Sequence, residues 1–161
     1  MGRKVALAAE AQAGVAWGGP SDVLARLAGR WSIARRIEPQ GSLTGEALFT
    51  PAADGWLDYR EQGALRLEGG VTTAAERRYR YRALPDGFAV HFAGPRQGLF
   101  HEVRLATGRN CRLIGRARHL CGADLYLTVY LFLPDGRFAI RHRVRGPRKA
   151  YRMTTWYQRI V

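Results

Sequence analysis

What most constrains this chain is the regularity with which turn residues interrupt it. After residue 28, short turn signals recur at Pro39-Gln40-Gly41, Pro51 to Gly55, Gly69-Gly70 and Pro85-Asp86-Gly87. They continue at Gly94-Pro95, Gly108 to Asn110, Gly122 to Asp124, Pro134-Asp135-Gly136 and Gly146-Pro147. About ten runs of roughly 6 to 12 residues lie between them, each alternating apolar with polar in the period of a half-buried strand. No second amphipathic helix of useful length intervenes, so βαβ topology is excluded. Many strands joined by short turns predict an antiparallel meander, and closure into a barrel would remove its unpaired edges. Ser21-Asp22 can cap one short helix before the strands, with Val23, Leu24 and Leu27 on one face and Gly29 at its end.

Alternation also assigns faces. In Leu57 to Leu67 the odd positions carry Leu57, Tyr59, Glu61, Gly63, Leu65 and Leu67, so the buried face includes Glu61. Arg78, Arg80 and Arg82 oppose Arg77, Tyr79 and Tyr81 on the next strand. Arg112, Arg116 and Arg118 oppose Leu113, Ala117, His119 and Cys121, and Arg141, Arg143 and Arg145 oppose Ile140, His142 and Val144. The chain has 161 residues and a net charge of +13. Of its 26 basic residues 24 are arginine, a bias that fits GC-rich codon usage. Most of that excess is expected to face water. Nucleic acid is what the charge first invites, but the tyrosines of the R-R-Y-R-Y-R run at 77–82 alternate to the side opposite Arg78, Arg80 and Arg82, so no specific nucleic-acid partner is expected.

The longest apolar stretch, Leu125 to Leu133, is far short of the roughly 20 residues of a spanning helix, so no membrane span is expected. Residues 1–20 read as an extension. Val5 to Ala9 is too short for a signal-peptide core of about 7 residues or more. Cys111 and Cys121, placed on one extended strand, would stand roughly 33 Å apart, beyond the about 7 Å that a disulfide spans. Two free thiols and no leader predict a cytoplasmic protein, with residues 21–161 as one domain.

The polar residues on the apolar faces carry any chemistry. A buried carboxylate needs a partner and Arg is the best bidentate one, so Glu61 is expected to meet Arg77 or Arg35. Tyr59, Tyr79, His119, Cys121 and Tyr151 share the interior faces, and His101 and Tyr157 join them. His119-x-Cys121, with Asp124 and His101 nearby, has metal-ligand chemistry, but no second Cys or His pair completes a site, so no metal is assigned. His101, His119 and His142 are each capable of an axial bond to haem, yet no fixed motif supports it and the cofactor is left unassigned.

The ordered motifs carry a resemblance. They run Leu27-x-Gly29-x-Trp31, Arg35-x-Ile37, Gly45-x-Ala47-x-Phe49, Leu57-x-Tyr59-x-Glu61-x-Gly63-x-Leu65 and Arg77-x-Tyr79-x-Tyr81. Phe100-His101, His119-x-Cys121-x-x-Asp124-x-Tyr126 and Gly146-Pro147-x-Lys149-x-Tyr151 complete the series. Together they resemble an uncharacterised bacterial and fungal domain family of unknown function associated with lipocalin-like, or calycin, barrels, over roughly Leu24 to Tyr157. Where that family has Asp-Gly-Arg just before Phe-His, this chain reads Gly94-Pro95-Arg96-Gln97-Gly98-Leu99. The resemblance implies an all-β, antiparallel barrel of eight to ten strands behind a short N-terminal helix. It implies no activity.

The expectation is a barrel whose interior binds a small, largely apolar ligand, with an acidic head group on an interior Arg. Its binding residues would be Arg35, Tyr59, Glu61, Arg77, Tyr79, His101, His119 and Tyr151. The alternative is acid/base catalysis of isomerase or lyase type by the same residues. Homodimerisation stays open.

Overall fold

The computed structural model describes residues 16–161. One short helix, α1 (Val23–Leu27), precedes ten strands: β1 (Gly29–Glu38), β2 (Gly41–Pro51), β3 (Trp56–Leu67), β4 (Thr72–Leu84) and β5 (Gly87–Phe92), then β6 (Gly98–Thr107), β7 (Leu113–Cys121), β8 (Asp124–Phe132), β9 (Phe138–Arg145) and β10 (Ala150–Arg159). Each strand pairs antiparallel with its neighbours in sequence, and β1 closes on β10. The number of strands is ten, the upper end of the expected range. Cys111 departs from expectation: it sits in the single-turn helix Arg109–Cys111 rather than on a strand, and both cysteines are free.

The period of two sets which side chains enter the barrel. On β1, Trp31, Ile33 and Arg35 are buried while their neighbours are exposed. On β3 the buried set is Leu57, Tyr59 and Glu61, as alternation predicts. The arginines of β4, β7 and β9 assigned to the outer face lie there, Arg80 and Arg82 with their guanidiniums 4.7 and 5.1 Å from the Trp56 ring. A register slip breaks the rule on β6. The pairing of β5 with β6 shifts register between Val90 and His91, and consecutive residues Phe100 and His101 are both buried.

The two ends of the barrel are built differently. At one end Trp31, Phe49, Phe88, Phe132 and Phe138 fill the interior, each at most 2% exposed. Phe138 stacks on Tyr157 with centroids 4.1 Å apart and planes 8° apart, and lies against Trp31 and Phe132 at 4.9 and 5.3 Å. The buried face of α1 adds Val23, Leu24 and Leu27 to this core. The Asp22 carboxylate does not cap α1 but accepts from the Gly19 amide at 2.8 Å. Trp17, in the stretch read as an extension, is 4% exposed and stacks on Trp31 at 5.9 Å. Residues 1–15 of that extension lie outside the described residues. The opposite end, where β3, β5, β7 and β9 finish, has no such plug among the described residues and leads into the interior.

Candidate functional site

Beneath the aromatic plug the interior turns polar. Arg35 on β1 donates from Nη1 and Nη2 to the two carboxylate oxygens of Glu61 at 2.6 and 2.7 Å, and from Nε to Thr155 Oγ1 at 2.7 Å. Tyr59 donates to Glu61 Oε2, and its oxygen lies 3.0 Å from that of Tyr157. Of the two expected partners, Arg35 therefore takes the bidentate role. Arg77 faces Glu61 directly across the β3–β4 pair, yet its Nε stands 4.0 Å from Oε1 and its side chain is 36% exposed.

Small residues on β2 and β3 make room for this diagonal reach. Between Arg35 and Glu61 the inward positions include Gly45 and Gly63, paired with each other, and Ala47, paired with Glu61. A Cβ on Gly45 would come within 2.1 Å of the Gln62 carbonyl oxygen, so the two strands approach only because no side chain stands there.

Burial alone would neutralise Glu61, but the Arg35 hydrogen bonds and charge outweigh it and hold the carboxyl below its usual range. Burial likewise opposes the charge on Arg35, and Glu61 more than restores it. Burial drives the phenols of Tyr59, Tyr81 and Tyr130 well up and that of Tyr157 up to about 12. His101, whose Nε2 lies 2.7 Å from the Tyr130 hydroxyl, is pushed down to about 3 by burial. His142, with Nδ1 2.8 Å from Thr128 Oγ1, is pushed down to about 3 by burial and then by the Arg77 charge. The phenols and these two imidazoles are thus neutral near pH 7. The charges left around the inner space are two guanidiniums and one carboxylate, and Arg77 holds the surplus there.

Two spaces that share part of their walls follow from this arrangement. The inner one, about 20 Å³, is bounded by Arg35, Glu61, His101 and the tyrosines, and has room for one water. The outer one, about 180 Å³, shares Arg77, Tyr79, Phe100 and His142 with it and runs out to the mouth. Phe92, Phe100, Tyr126 and Met153 give it apolar walls, and among the described residues no carboxylate lines it. His119 is stacked on Phe100 at 5.1 Å, and its Nε2 is buried without a hydrogen-bond partner among the described residues. Arg96 covers the Phe92 face at 4.1 Å and donates to Cys121 Sγ at 3.3 Å.

The eight residues expected at a site thus divide by depth. Arg35, Tyr59, Glu61 and His101 line the inner space, His119 and Tyr151 the outer, and Arg77 and Tyr79 both. Sequence reasoning missed Thr155 and Arg96. Thr155 stands between Met153 and Tyr157 on the inward face of β10, so alternation could have found it. Arg96 is in a loop, where no periodicity applies. Asp124, weighed as a ligand beside His119 and Cys121, instead accepts from Lys149 Nζ at 3.3 Å. Among the described residues no three His, Cys, Asp or Glu side chains gather as a metal site.

No curated protein matches this chain. Solved structures similar to it over most of its length include the following three. A redesigned beta barrel, mFAP1, bound to DFHBI, is 14% identical over 88% of this chain and all of its own, with a TM-score of 0.40. Another redesigned beta barrel, b11L5F_LGL, is 14% identical over 89% of this chain and 98% of its own, at 0.41. The structure of EF1p2_mFAP2b bound to DFHBI is 12% identical over 88% and 98%, at 0.40. A family model described as a family of unknown function matches residues 27–159, from the end of α1 to the end of β10, and the chain belongs to that family, DUF6314.

Proposed function

We propose that the barrel binds a small, largely apolar acid in the outer cavity, with the acid group on Arg77. The observation that carries this reading is the unbalanced guanidinium. Arg35 satisfies Glu61 on both oxygens, so the charge of Arg77, in the wall shared by the two spaces, faces a cavity with no carboxylate among its described lining residues. His119 Nε2, buried and unpartnered among the described residues, offers a second polar contact. The cavity volume of about 180 Å³ lies below the about 300–1,000 Å³ of pockets for drug-sized ligands and near the about 150 Å³ that accepts benzene. That favours a monocyclic or short-chain acid over a bulky group such as haem. The calycin comparison and a cytoplasmic location belong to the same proposal, the latter supported by the two free thiols.

Acid/base catalysis by the same residues has less support. Glu61 is held by Arg35 and Tyr59, and His101 and His142 stay neutral well below physiological pH. The experiment is titration of the protein with phenylacetate and hexanoate, and with the corresponding amides, followed by calorimetry. The acids should bind and the amides bind at least tenfold more weakly, a charge-assisted hydrogen bond being worth about 1.5–3 kcal/mol. Arg77→Gln should abolish that preference with the fold intact by circular dichroism. Equal binding of acids and amides, or none of either, would overturn the reading.

A further inference from the structure

The rim of the mouth pairs exposed aliphatic side chains with uncompensated positive charge. Leu67 and Val71 flank the β3–β4 turn, Leu99 opens β6 and Leu120 lies near the end of β7, and all four are exposed, Val71 and Leu120 at 62%. Arg66, Arg96, Arg118, Arg145 and Arg148 stand on the same strand ends and turns and are also exposed. None of these arginines has a carboxylate within ion-pair distance among the described residues. At the same end Arg36 pairs with Glu38 and Lys149 with Asp124, and nearer the plugged end Arg30 pairs with Glu46, Arg80 with Asp58, Arg104 with Asp86 and Arg137 with Asp135; what sets the rim apart is that its unpaired arginines stand among exposed aliphatic side chains.

Exposed leucines cost solvation and unpaired arginines repel one another, so a surface with both is complementary to something anionic and apolar together. Single-stranded nucleic acid would ask for aromatic faces to stack on, and the four exposed apolar groups here are Leu and Val. A bilayer with anionic headgroups meets both demands: guanidiniums take the phosphates while aliphatic side chains enter the acyl boundary. We infer that the rim docks on an anionic lipid surface, with the mouth of the barrel turned toward the membrane. The inference extends the binding proposal, because apolar acids concentrate at that interface and the outer cavity opens there.

The test is co-sedimentation of the full chain with vesicles of phosphatidylcholine alone or mixed with phosphatidylglycerol. The protein should partition onto the mixed vesicles only, and less so as salt rises. Arg118→Ser and Arg145→Ser should each lower partition about fivefold, the loss expected for one arginine near an anionic surface. Leu99→Ser with Leu120→Ser should lower it several-fold at unchanged net charge. Arg109→Ser with Arg112→Ser removes two charges from the plugged end and should leave partition nearly unchanged. Equal losses from both ends would mean attraction to the +13 as a whole and overturn the inference. So would absence of vesicle binding, or retention on DNA that the rim variants abolish without vesicle capture. Vesicle partition is read without any small acid present, so this inference and the binding proposal fail separately.

Discussion

The two ends of this barrel obey the same alternation and use it differently. At the plugged end the inward positions hold Trp31, Phe49, Phe132 and Phe138, and the interior is filled by rings in contact. Toward the mouth the inward positions hold Arg77, Tyr79, His119, His142 and Tyr151, and about 180 Å³ is left between them. Between the two lies the Arg35–Glu61 pair, bounded by apolar rings on one side and a partly exposed cation on the other. Period two decides inside from outside along a strand, but not whether the inside is solid. That depends on the size of the side chains at each level, and here large rings collect at one level and polar groups at the next.

Truncation should expose the contrast most strongly. Phe138→Ala removes the ring that stacks on Tyr157 and touches Trp31, Phe132 and Trp17. It should cost about 3–5 kcal/mol of unfolding free energy, read from denaturant midpoints. Tyr151→Ala at the mouth, with its side chain partly exposed on a cavity wall, should cost under about 1 kcal/mol. Equal losses would show that the mouth is as tightly packed as the plug.

The buried pair comes next. Glu61→Ala leaves Arg35 charged in the interior beside Thr155, and should destabilise by about 3–5 kcal/mol. The double variant Arg35→Met with Glu61→Leu should recover most of that loss, since no unpaired charge then remains. A double variant as unstable as the sum of the singles would mean that the pair contributes no coupling and that both sites matter only through packing.

How far this was legible in the sequence follows from the same geometry. The alternation at Leu57-x-Tyr59-x-Glu61 places Glu61 inside, and it is 3% exposed. Its partner was not decidable, because Arg77 is directly opposite on β4 while Arg35 reaches diagonally across β2 over Gly45. A strand pattern reports the face of a residue, not the length of its reach over residues without side chains. Phe100 was hidden for another reason: a register shift after Val90 puts it inside together with His101, where strict alternation admits only one. Trp17 belongs to no periodic segment, so nothing in its neighbourhood marks it as part of the plug.

The buried histidine that meets Tyr130 gives a graded comparison between folded and unfolded chain. His101 ionises near 6.5 when unfolded but only near 3 when folded, because burial penalises its charge. Between those values the unfolded chain takes up a proton that the folded one refuses, so unfolding is favoured as pH falls. The stability that His101 supplies is complete above pH 6.5 and should decline by roughly 1.4 kcal/mol per pH unit below it, for that one proton. Unfolding free energies between pH 7 and 5 would measure it. His101→Asn should reduce the slope by about that amount, and an unchanged slope would place the titrating group elsewhere.

The smallest effect should come from the rim, and its smallness is informative. Leu120 is 62% exposed on the outer face of β7, and Leu99 is 48% exposed at the start of β6. Neither side chain belongs to the buried cluster that joins α1 to the aromatic plug. Replacing both by serine should therefore change unfolding free energy by no more than about 0.5 kcal/mol each. A loss of stability comparable to Tyr151→Ala would mean that these leucines brace the mouth. Unchanged stability with lost vesicle binding separates the two ends of the barrel by role: rings at the plug hold the fold, and leucines at the mouth meet a surface outside it.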